Sequence, residues 1–161
     1  MSNSTDKPVQ LPTVDRVVLG FNGGIDSVVA AQILTDQGFL VYGVYVRLGE
    51  DDETIAQATQ KAAQLGISLH ARDCSEKVND IFTVLAQAAN AADAYYIATG
   101  HYARMDVKGE HTVILPAAHK EYDQSASFKQ VSQDIMDRLI LPLGDFSKDD
   151  VLEVAQEYKL I

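Results

Sequence analysis

A glycine-rich turn near the start of the chain constrains its structure more than any other feature of the sequence. The turn lies in Gly20-Phe21-Asn22-Gly23-Gly24-Ile25-Asp26-Ser27-Val28-Val29, between the apolar run Val17-Val18-Leu19 and a second apolar stretch that ends at Leu34. Adjacent glycines let backbone N–H groups approach an anion closely, and the start of a helix adds free amides and the positive end of its dipole. The sequence therefore predicts a strand, a tight turn and a helix.

The spacing of this turn differs from two common phosphate-binding motifs. It matches neither the ATPase loop G-x-x-x-x-G-K-[ST] nor the dinucleotide fingerprint G-x-G-x-x-G. Asp26 and Ser27 fall in the first turn of the predicted helix, where such side chains either cap the helix or lie beside a bound anion. From this segment alone, a plain strand-to-helix turn and an anion site both remain open.

The composition is that of a single globular domain. The chain has 161 residues, of which 47% are hydrophobic and 22% are charged. We expect no membrane span, because no apolar run approaches about 18 residues, and no signal peptide, because the N-terminus is polar.

Cys74 is the only cysteine, which excludes an internal disulfide and favours a cytoplasmic location. One cysteine and four scattered histidines give no metal-ligand spacing, so we predict no protein-bound metal.

The charge of the chain argues against autonomous binding to nucleic acid. It has 23 acidic and 13 basic residues, which gives a net charge of −10. Affinity for a nucleic-acid backbone comes largely from Lys and Arg, and the sequence contains no cluster of them. We therefore expect weak or no nucleic-acid binding by this chain alone.

Hydrophobic patterning divides the chain into a leader and one α/β domain. Residues 1–13 are polar and contain two prolines, which favours a disordered leader, and residues 14–161 form the domain. The predicted strands are Arg16–Phe21, Leu40–Arg47, Ser68–Ala71 and Ala94–Ala98, and the predicted helices are Ile25–Gln37, Asp52–Leu65 and Ser75–Ala92. This alternation predicts a parallel sheet with helices on both faces and a ligand site beyond the carboxyl ends of the strands.

The pattern changes after His101. A hairpin is predicted over about residues 103–116, with its turn at Gly109. A helix is predicted over Asp123–Leu139, because its apolar residues recur near helical spacing. The S-x-x-D pattern that begins at Ser147 predicts a capping box and a final helix that ends near Tyr158.

Four motifs, taken in order, resemble a known family. They are residues 20–27, the segment Ala98-Thr99-Gly100-His101-Tyr102-Ala103-Arg104, the tripeptide Asp123-Gln124-Ser125, and Leu141-Pro142-Leu143-Gly144-Asp145-Phe146-Ser147-Lys148. Together they are similar to the catalytic domain of the tRNA-specific 2-thiouridylases, which belong to the N-type ATP pyrophosphatase (PP-loop) superfamily with its S-G-G-x-D-S loop. The likeness runs from about Val17 to Leu160. It implies a Rossmann-like, adenine nucleotide α-hydrolase-like fold with a parallel sheet of about five strands.

The resemblance also implies a set of site residues. ATP, accompanied by Mg²⁺, would contact Gly20, Phe21, Asn22, Gly23, Gly24, Ile25, Asp26, Ser27, Val46 and Gly100. In this scheme Val46 packs on the adenine and Gly100 faces the nucleotide through its backbone. The substrate would contact His101, Tyr122, Asp123 and Gln124, and the candidate catalytic residues are Asp26, Ser27 and His101. The implied reaction adenylates a substrate carbonyl and releases pyrophosphate.

The chain departs from the family pattern at several points. Asn22 replaces the first serine of the loop, and Tyr122 replaces a lysine. The family's two cysteines have no counterpart, since the segment 73–93 lacks an Asp-x-x-Cys motif and the second cysteine would follow the last helix, beyond Ile161. Cys74 is either a nucleophile at the rim of the cleft or a small buried side chain.

These departures leave three interpretations of function open. The first is an adenylating enzyme that we do not expect to complete sulfur transfer alone. The second is a non-catalytic ATP- or AMP-binding regulatory subunit. The third is a piece of a longer enzyme, or a subunit whose partner donates sulfur or binds tRNA, and a homo-oligomer is also possible. Formation of AMP and pyrophosphate separates the first interpretation from the second.

Overall fold

The computed structural model describes residues 14–74 and 80–161, and its framework is a five-stranded parallel sheet. The strands are β1 (Arg16–Gly20), β2 (Leu40–Arg47), β3 (Ser68–Asp73), β4 (Tyr96–Ala98), β5 (Ala103–Lys108), β6 (His111–Pro116) and β7 (Leu139–Ile140). The helices are α1 (Ile25–Asp36), α2 (Asp52–Gln64), α3 (Ile81–Ala91), α4 (Gln133–Met136) and α5 (Lys148–Glu157). The leader predicted over residues 1–13 lies outside the described residues.

The sheet has the strand order β3-β2-β1-β4-β7, and all its pairs are parallel. The chain builds outward from β1 to β3 and then crosses back to place β4 on the other side of β1. The order therefore reverses between β1 and β4, and the crevice beyond their carboxyl ends is where open α/β sheets bind ligands. Strands β5 and β6 form a separate antiparallel hairpin, as predicted.

Helices cover both faces of the sheet, which confirms the predicted α/β class. Val17 and Leu19 of β1 pack in one buried cluster with α1, whereas Val18 between them packs in another with α3. This alternation follows from the two-residue period of a strand, and all three side chains are at most 1% exposed. Within the described residues, no helix is both long enough and apolar enough to cross a membrane.

The helix predicted over Asp123–Leu139 is wrong. The segment instead forms a 3-10 turn at Ser125–Phe128, the short helix α4, and strand β7. The apolar side chains of this segment pack in one buried cluster with α3. A turn, a short helix and a strand can deliver those side chains as well as one continuous helix can. The carboxyl end of the segment is extended because β7 pairs with β4 and completes the sheet edge.

Two other helices show how local capping sets element boundaries. The helix predicted over Ser75–Ala92 begins at Ile81, because Asp80 caps it by accepting a hydrogen bond from the amide of Phe82. Residues 75–79 of that prediction lie outside the described residues. The final helix confirms its predicted capping box, in which Ser147 and Asp150 exchange side-chain and backbone hydrogen bonds at 3.0 and 2.8 Å.

The segment before α5 is fixed by a close backbone approach. At Gly144 an added Cβ would collide with the carbonyl oxygen of Ala103, so only glycine fits there. The carbonyl oxygen of Gly144 also accepts a hydrogen bond from the amide of Ala118, at 3.0 Å. These contacts hold the start of α5 beside the base of the hairpin and close to α1.

Candidate functional site

A cleft of about 300 Å³ opens at the carboxyl ends of β1, β2 and β4. Nine of the residues predicted from the sequence line it, namely Gly20, Phe21, Asn22, Asp26, Ser27, Val46, Gly100, His101 and Gln124. The other five predicted residues do not line the cleft, and they are Gly23, Gly24, Ile25, Tyr122 and Asp123. The volume lies at the lower end of the range for small-molecule sites.

The glycine-rich loop is held in place from behind by α2. Gly23 has a φ of +82°, and a Cβ added there would lie 3.1 Å from the Cα of Ala58. Lys61, one turn further along α2, donates a hydrogen bond to the carbonyl oxygen of Gly23 at 3.0 Å. The left-handed backbone and the packed helix behind it explain why the loop needs glycine at this position.

Asn22 organises the inside of the loop. Its Oδ1 accepts hydrogen bonds from the amide of Gly24, at 2.8 Å, and from the hydroxyl of Ser27, at 3.0 Å. The backbone N–H of Gly24 can only donate, so the Asn22 atom that faces it must be the carbonyl oxygen Oδ1. The Nδ2 donors are therefore directed away from Gly24, on a side chain that lines the cleft.

The start of α1 has the properties of an anion site. Its N-cap is Gly24, which has no side chain, so no capping side chain occupies the amides of the first turn. Free amides and the helix dipole at the edge of a cleft favour a phosphate group. The residues present therefore fit a phosphate group.

Asp26 is tied to two residues that sequence reasoning missed. Its Oδ1 accepts a hydrogen bond from the hydroxyl of Tyr102 at 2.6 Å, and its Oδ2 accepts one from Nζ of Lys148 at 2.9 Å. Burial raises the pKa of the Tyr102 phenol, and the Asp26 carboxylate raises it further, so the hydroxyl remains a donor at neutral pH. Both residues lie in motifs singled out from the sequence, but nothing local indicates that they meet Asp26.

Gly100 serves a packing role at the cleft that the sequence did not indicate. A Cβ added there would lie 3.2 Å from the backbone carbonyl carbon and oxygen of Asp26. A side chain at residue 100 would therefore press on the start of α1, and glycine lets the end of β4 lie close to it. Gly100 also lines the cleft, so its position remains compatible with the predicted approach of a nucleotide.

His101 is a neutral, aromatic part of the cleft wall. Its Nδ1 lies 2.7 Å from the hydroxyl of Thr99, and its ring packs within 5.7 Å of Phe82 and 5.2 Å of Phe128, measured between ring centroids. Burial lowers the pKa of the His101 imidazole, so the ring is uncharged at neutral pH. This environment favours packing or hydrogen bonding over a role as a fixed cation.

The segment 122–124 fastens the wall of the cleft, and one of its residues lines it. Gln124 exchanges two hydrogen bonds with the backbone of Tyr102, at 2.9 and 2.8 Å. Asp123 accepts hydrogen bonds from the amides of Ala117 and Ser125, and the bond from Ala117 is the main cause that holds the pKa of Asp123 below its usual range. The ring of Tyr122 packs 6.0 Å from that of Tyr102.

The opposite wall of the cleft is apolar. Its side chains come from the end of β2, the following loop and α3, and they are Val44, Val46, Leu48, Ile81 and Leu85. Leu48 stands at the rim with 66% of its surface exposed. Its backbone amide donates to the Glu50 carboxylate, at 2.6 Å, which fixes the turn that carries it.

Three further charged or nucleophilic side chains, those of Arg47, Arg104 and Cys74, do not line the cleft. Arg47 binds Asp52 at 2.7 Å, and Arg104 donates to the carbonyl oxygen of Pro116 at 2.8 Å, so both arginines have structural partners. Cys74 is partly buried at the end of β3 and does not line the cleft. Over residues 14–74 and 80–161, no group of three or more His, Cys, Asp or Glu side chains is arranged to hold a metal ion.

Sequence comparison finds one family model and a set of curated relatives that are similar to this chain. The family model described as the tRNA methyl transferase HUP domain matches residues 15–79 and 69–161. A tRNA-specific 2-thiouridylase MnmA 1 of Geobacillus kaustophilus is 29% identical over 181 residues, and one from Clostridium acetobutylicum is 30% identical over 184 residues. These alignments cover 91% and 90% of this chain but 49% and 52% of the relatives, so the chain spans about half their length.

Solved structures support the same fold. A predicted subunit of tRNA methyltransferase from Methanocaldococcus jannaschii aligns with a TM-score of 0.54 and 17% identity, over 89% of this chain and 75% of that one. The NMN synthetase from Francisella tularensis aligns with a TM-score of 0.58 and 14% identity, over 92% of this chain and 63% of that one. Because the family model matches nearly all of residues 15–161, the chain belongs to the tRNA methyl transferase HUP domain family and is similar to the 2-thiouridylases.

Proposed function

We propose that this domain binds ATP in the cleft, with the phosphates at the glycine-rich loop and the base along the apolar wall. The observation that carries the proposal is the joint placement of the uncapped start of α1 and the apolar wall at the point where strand order reverses. One end of the cleft suits an anion and the other suits a flat apolar group. Phe21 and Gly20 connect the two ends across the carboxyl end of β1.

Within this scheme the loop residues have distinct tasks. Amides at the start of α1 donate to phosphate oxygens, and the Nδ2 group of Asn22 adds a neutral donor from the cleft side. The Ser27 hydroxyl, which has one proton, donates to a phosphate only when it leaves Oδ1 of Asn22. Val46 packs against the base, and Gly100 allows the nucleotide close to the end of β4. Mg²⁺ would arrive with the phosphates and supply charge neutralisation.

The reaction that we infer for such a site is adenylation of a carbonyl, and because the relatives are named tRNA-specific 2-thiouridylases, we take that carbonyl to belong to tRNA. The carbonyl oxygen attacks the α-phosphorus and forms an O–P bond, while the bond to the β-phosphate breaks and its electron pair leaves with pyrophosphate. The loop donors stabilise the charge on that leaving group. A sulfur nucleophile then displaces AMP from the activated carbon.

We infer that this chain does not complete sulfur transfer alone. Its single cysteine, Cys74, does not line the cleft, so the described residues offer no thiol at the site. A partner protein or a free donor would supply sulfur, and a partner would supplement tRNA binding, because the net charge is −10. We place this work in the cytoplasm, where tRNA is modified and where a lone thiol stays reduced.

The same facts favour a second candidate, a nucleotide-binding partner subunit without turnover. Asn22 uses the Gly24 amide and the Ser27 hydroxyl inside the loop, and both groups are donors that a leaving pyrophosphate would need. In that case ATP binding would persist while AMP and pyrophosphate would not form. The distinction is therefore one of turnover, not of binding.

Calorimetric titration with ATP and Mg²⁺ tests the proposal, with the variant Asn22→Asp as the decisive comparison. Asn22→Asp keeps an oxygen for the Gly24 amide and the Ser27 hydroxyl but replaces the Nδ2 donor with negative charge. We expect micromolar binding by the native chain, which corresponds to about −8 kcal/mol, and a loss of at least about tenfold in Asn22→Asp because like charges repel. Asn22→Ser, which restores the family residue, serves as the control and keeps affinity.

Turnover is measured on the same proteins as release of pyrophosphate and AMP with unmodified tRNA present. Substrate-dependent release supports the adenylating enzyme, and binding without release supports the partner subunit. If the native chain does not bind ATP, or if Asn22→Asp binds it equally well, the proposed site is wrong.

A further inference from the structure

The carboxylate of Asp26 raises an electrostatic problem at the proposed phosphate site. Asp26 lies in the first turn of α1 and lines the cleft. A negative charge there would repel a phosphate and so weaken the attraction that the helix dipole and the free amides provide. A site for a polyphosphate therefore needs this charge to be balanced or removed.

Lys148 provides that balance from the other end of the chain. Its Nζ lies 2.9 Å from Oδ2 of Asp26, and the two side chains are 45% and 31% exposed. The same ammonium group lies 4.5 Å from the centroid of the Tyr102 ring, whose hydroxyl donates to the other oxygen of Asp26. Both oxygens of Asp26 are thus engaged by residues outside α1, and neither caps its own helix.

The position of Lys148 is set by rigid structure. It is the first residue of α5, directly after Ser147, whose capping box fixes the start of the helix. Val151 and Ala155 of α5 are buried in one cluster with Val29 of α1. The two helices therefore hold the lysine and the aspartate together without relying on the ion pair itself.

We propose that Lys148 is a positioning residue that neutralises Asp26 and so keeps the start of α1 open to polyphosphate. This inference rests on the proposed nucleotide site. An exposed or half-exposed ion pair contributes little to stability, so a functional role predicts an effect on binding that exceeds the effect on folding. Lys148 acts through Asp26, and the test must separate this role from a merely structural one.

The experiment is a charge cycle with inorganic pyrophosphate as the probe, measured by calorimetry without Mg²⁺. The proteins are the native chain, Lys148→Met, Asp26→Asn and the double variant that carries both substitutions. We expect Lys148→Met to weaken pyrophosphate binding by at least about tenfold, because it leaves an unbalanced carboxylate beside the anion. We expect Asp26→Asn, which frees the Lys148 ammonium, to bind pyrophosphate more tightly than the native chain does. We expect the double variant, whose local charge equals the native one, to recover to within about threefold of the native value.

The rescue distinguishes charge from architecture. Lys148→Met and the double variant both lack the ion pair, so a structural role predicts that both bind equally poorly. An electrostatic role also predicts that the defect of Lys148→Met shrinks in about 0.5 M salt, where charges are screened over a few ångströms. Lys108→Met, at the exposed end of β5, is the matched control and should leave affinity unchanged.

Each remaining outcome decides the question. Unchanged affinity in Lys148→Met, or no recovery in the double variant, overturns the role of Lys148 while ATP binding by the native chain still supports the proposed function. A native chain that binds neither pyrophosphate nor ATP overturns both. If Lys148→Met does not fold, the double variant is compared with the native chain, whose local net charge is the same, and an affinity more than about tenfold below the native value contradicts the inference.

Discussion

The two walls of the cleft differ in how their chemistry is built. The wall formed by the glycine-rich loop, the loop wall, consists of backbone amides and of polar side chains that are hydrogen-bonded to one another. Its charged groups, Asp26 and Lys148, come from α1 and α5, which are distant in sequence. The opposite wall consists of aliphatic side chains from β2 and α3, with no ion pair among them. In the proposed nucleotide site, the phosphate end therefore depends on backbone geometry, whereas the base end depends on apolar surface of the right shape.

The largest expected effect comes from distorting the loop wall with Gly23→Val. A β-branched residue strains the backbone at a φ of +82°, and its Cβ would press on the Cα of Ala58. We expect the free energy of unfolding to fall by roughly 2–4 kcal/mol and pyrophosphate affinity to fall about 100-fold. Urea unfolding and calorimetry measure the two effects.

A second glycine provides the control for this substitution. Gly109 also has a positive φ, +63°, but an added Cβ there meets nothing within 4 Å. Gly109→Val should therefore cost roughly 1–3 kcal/mol of stability and leave pyrophosphate affinity intact. Native-like pyrophosphate binding by Gly23→Val would show that the loop is not the anion site.

A smaller effect is expected from trimming the apolar wall with Val46→Ala. Loss of two methyl groups removes about 1 kcal/mol of contact with the base, which is about fivefold in ATP affinity. Pyrophosphate, which has no base, should bind unchanged. Val107→Ala, at a position 67% exposed on the hairpin, is the control. Equal losses for ATP and pyrophosphate would contradict the division of the cleft into two ends.

The smallest expected effect concerns His101, which we group with the apolar wall. Burial lowers its pKa in the folded chain, so the unfolded chain binds more protons once the pH falls below the ordinary histidine pKa of about 6.5. The contribution of His101 to stability is therefore complete above about pH 6.5 and is lost as the pH falls from there toward the folded pKa.

Urea unfolding at pH 7.5 and pH 5.5 measures this loss. We expect the native chain to lose up to about 1 kcal/mol more than His101→Gln over that interval. His70→Gln, on an exposed position of β3, should behave as the native chain does. If His101→Gln shows the same pH dependence as the native chain, the histidine does not stay neutral as its environment implies.

Local sequence predicted those elements whose causes are local. The turn at residues 20–27, the hairpin near Gly109 and the capping box at Ser147 depend on nearby residues, and the structure has all three. The predicted helix over Asp123–Leu139 failed because its apolar spacing came from packing on α3, and its end was needed to pair with β4. The spacing of buried residues does not by itself specify whether the backbone between them is helical, turned or extended.

The candidate site divides in the same way. The sequence located the loop, Val46, Gly100 and His101 at one edge of the sheet, because parallel strands bring their carboxyl ends together. It gave no sign that Tyr122 and Asp123 would lie beside the cleft and not in its lining, since those positions depend on how the segment after the hairpin folds back.

The sequence by itself determined the alternation of strands and helices up to His101, the glycine-rich turn and the family, because periodicity, glycine backbone freedom and ordered motifs are properties of the chain. Only the tertiary structure decided which side chains bind the carboxylate of Asp26. Lys148 is 122 residues away from it, and the contact exists because α5 packs on α1 beside the buried Tyr102. Such a pairing depends on the sum of many packing contacts, and no local pattern records it.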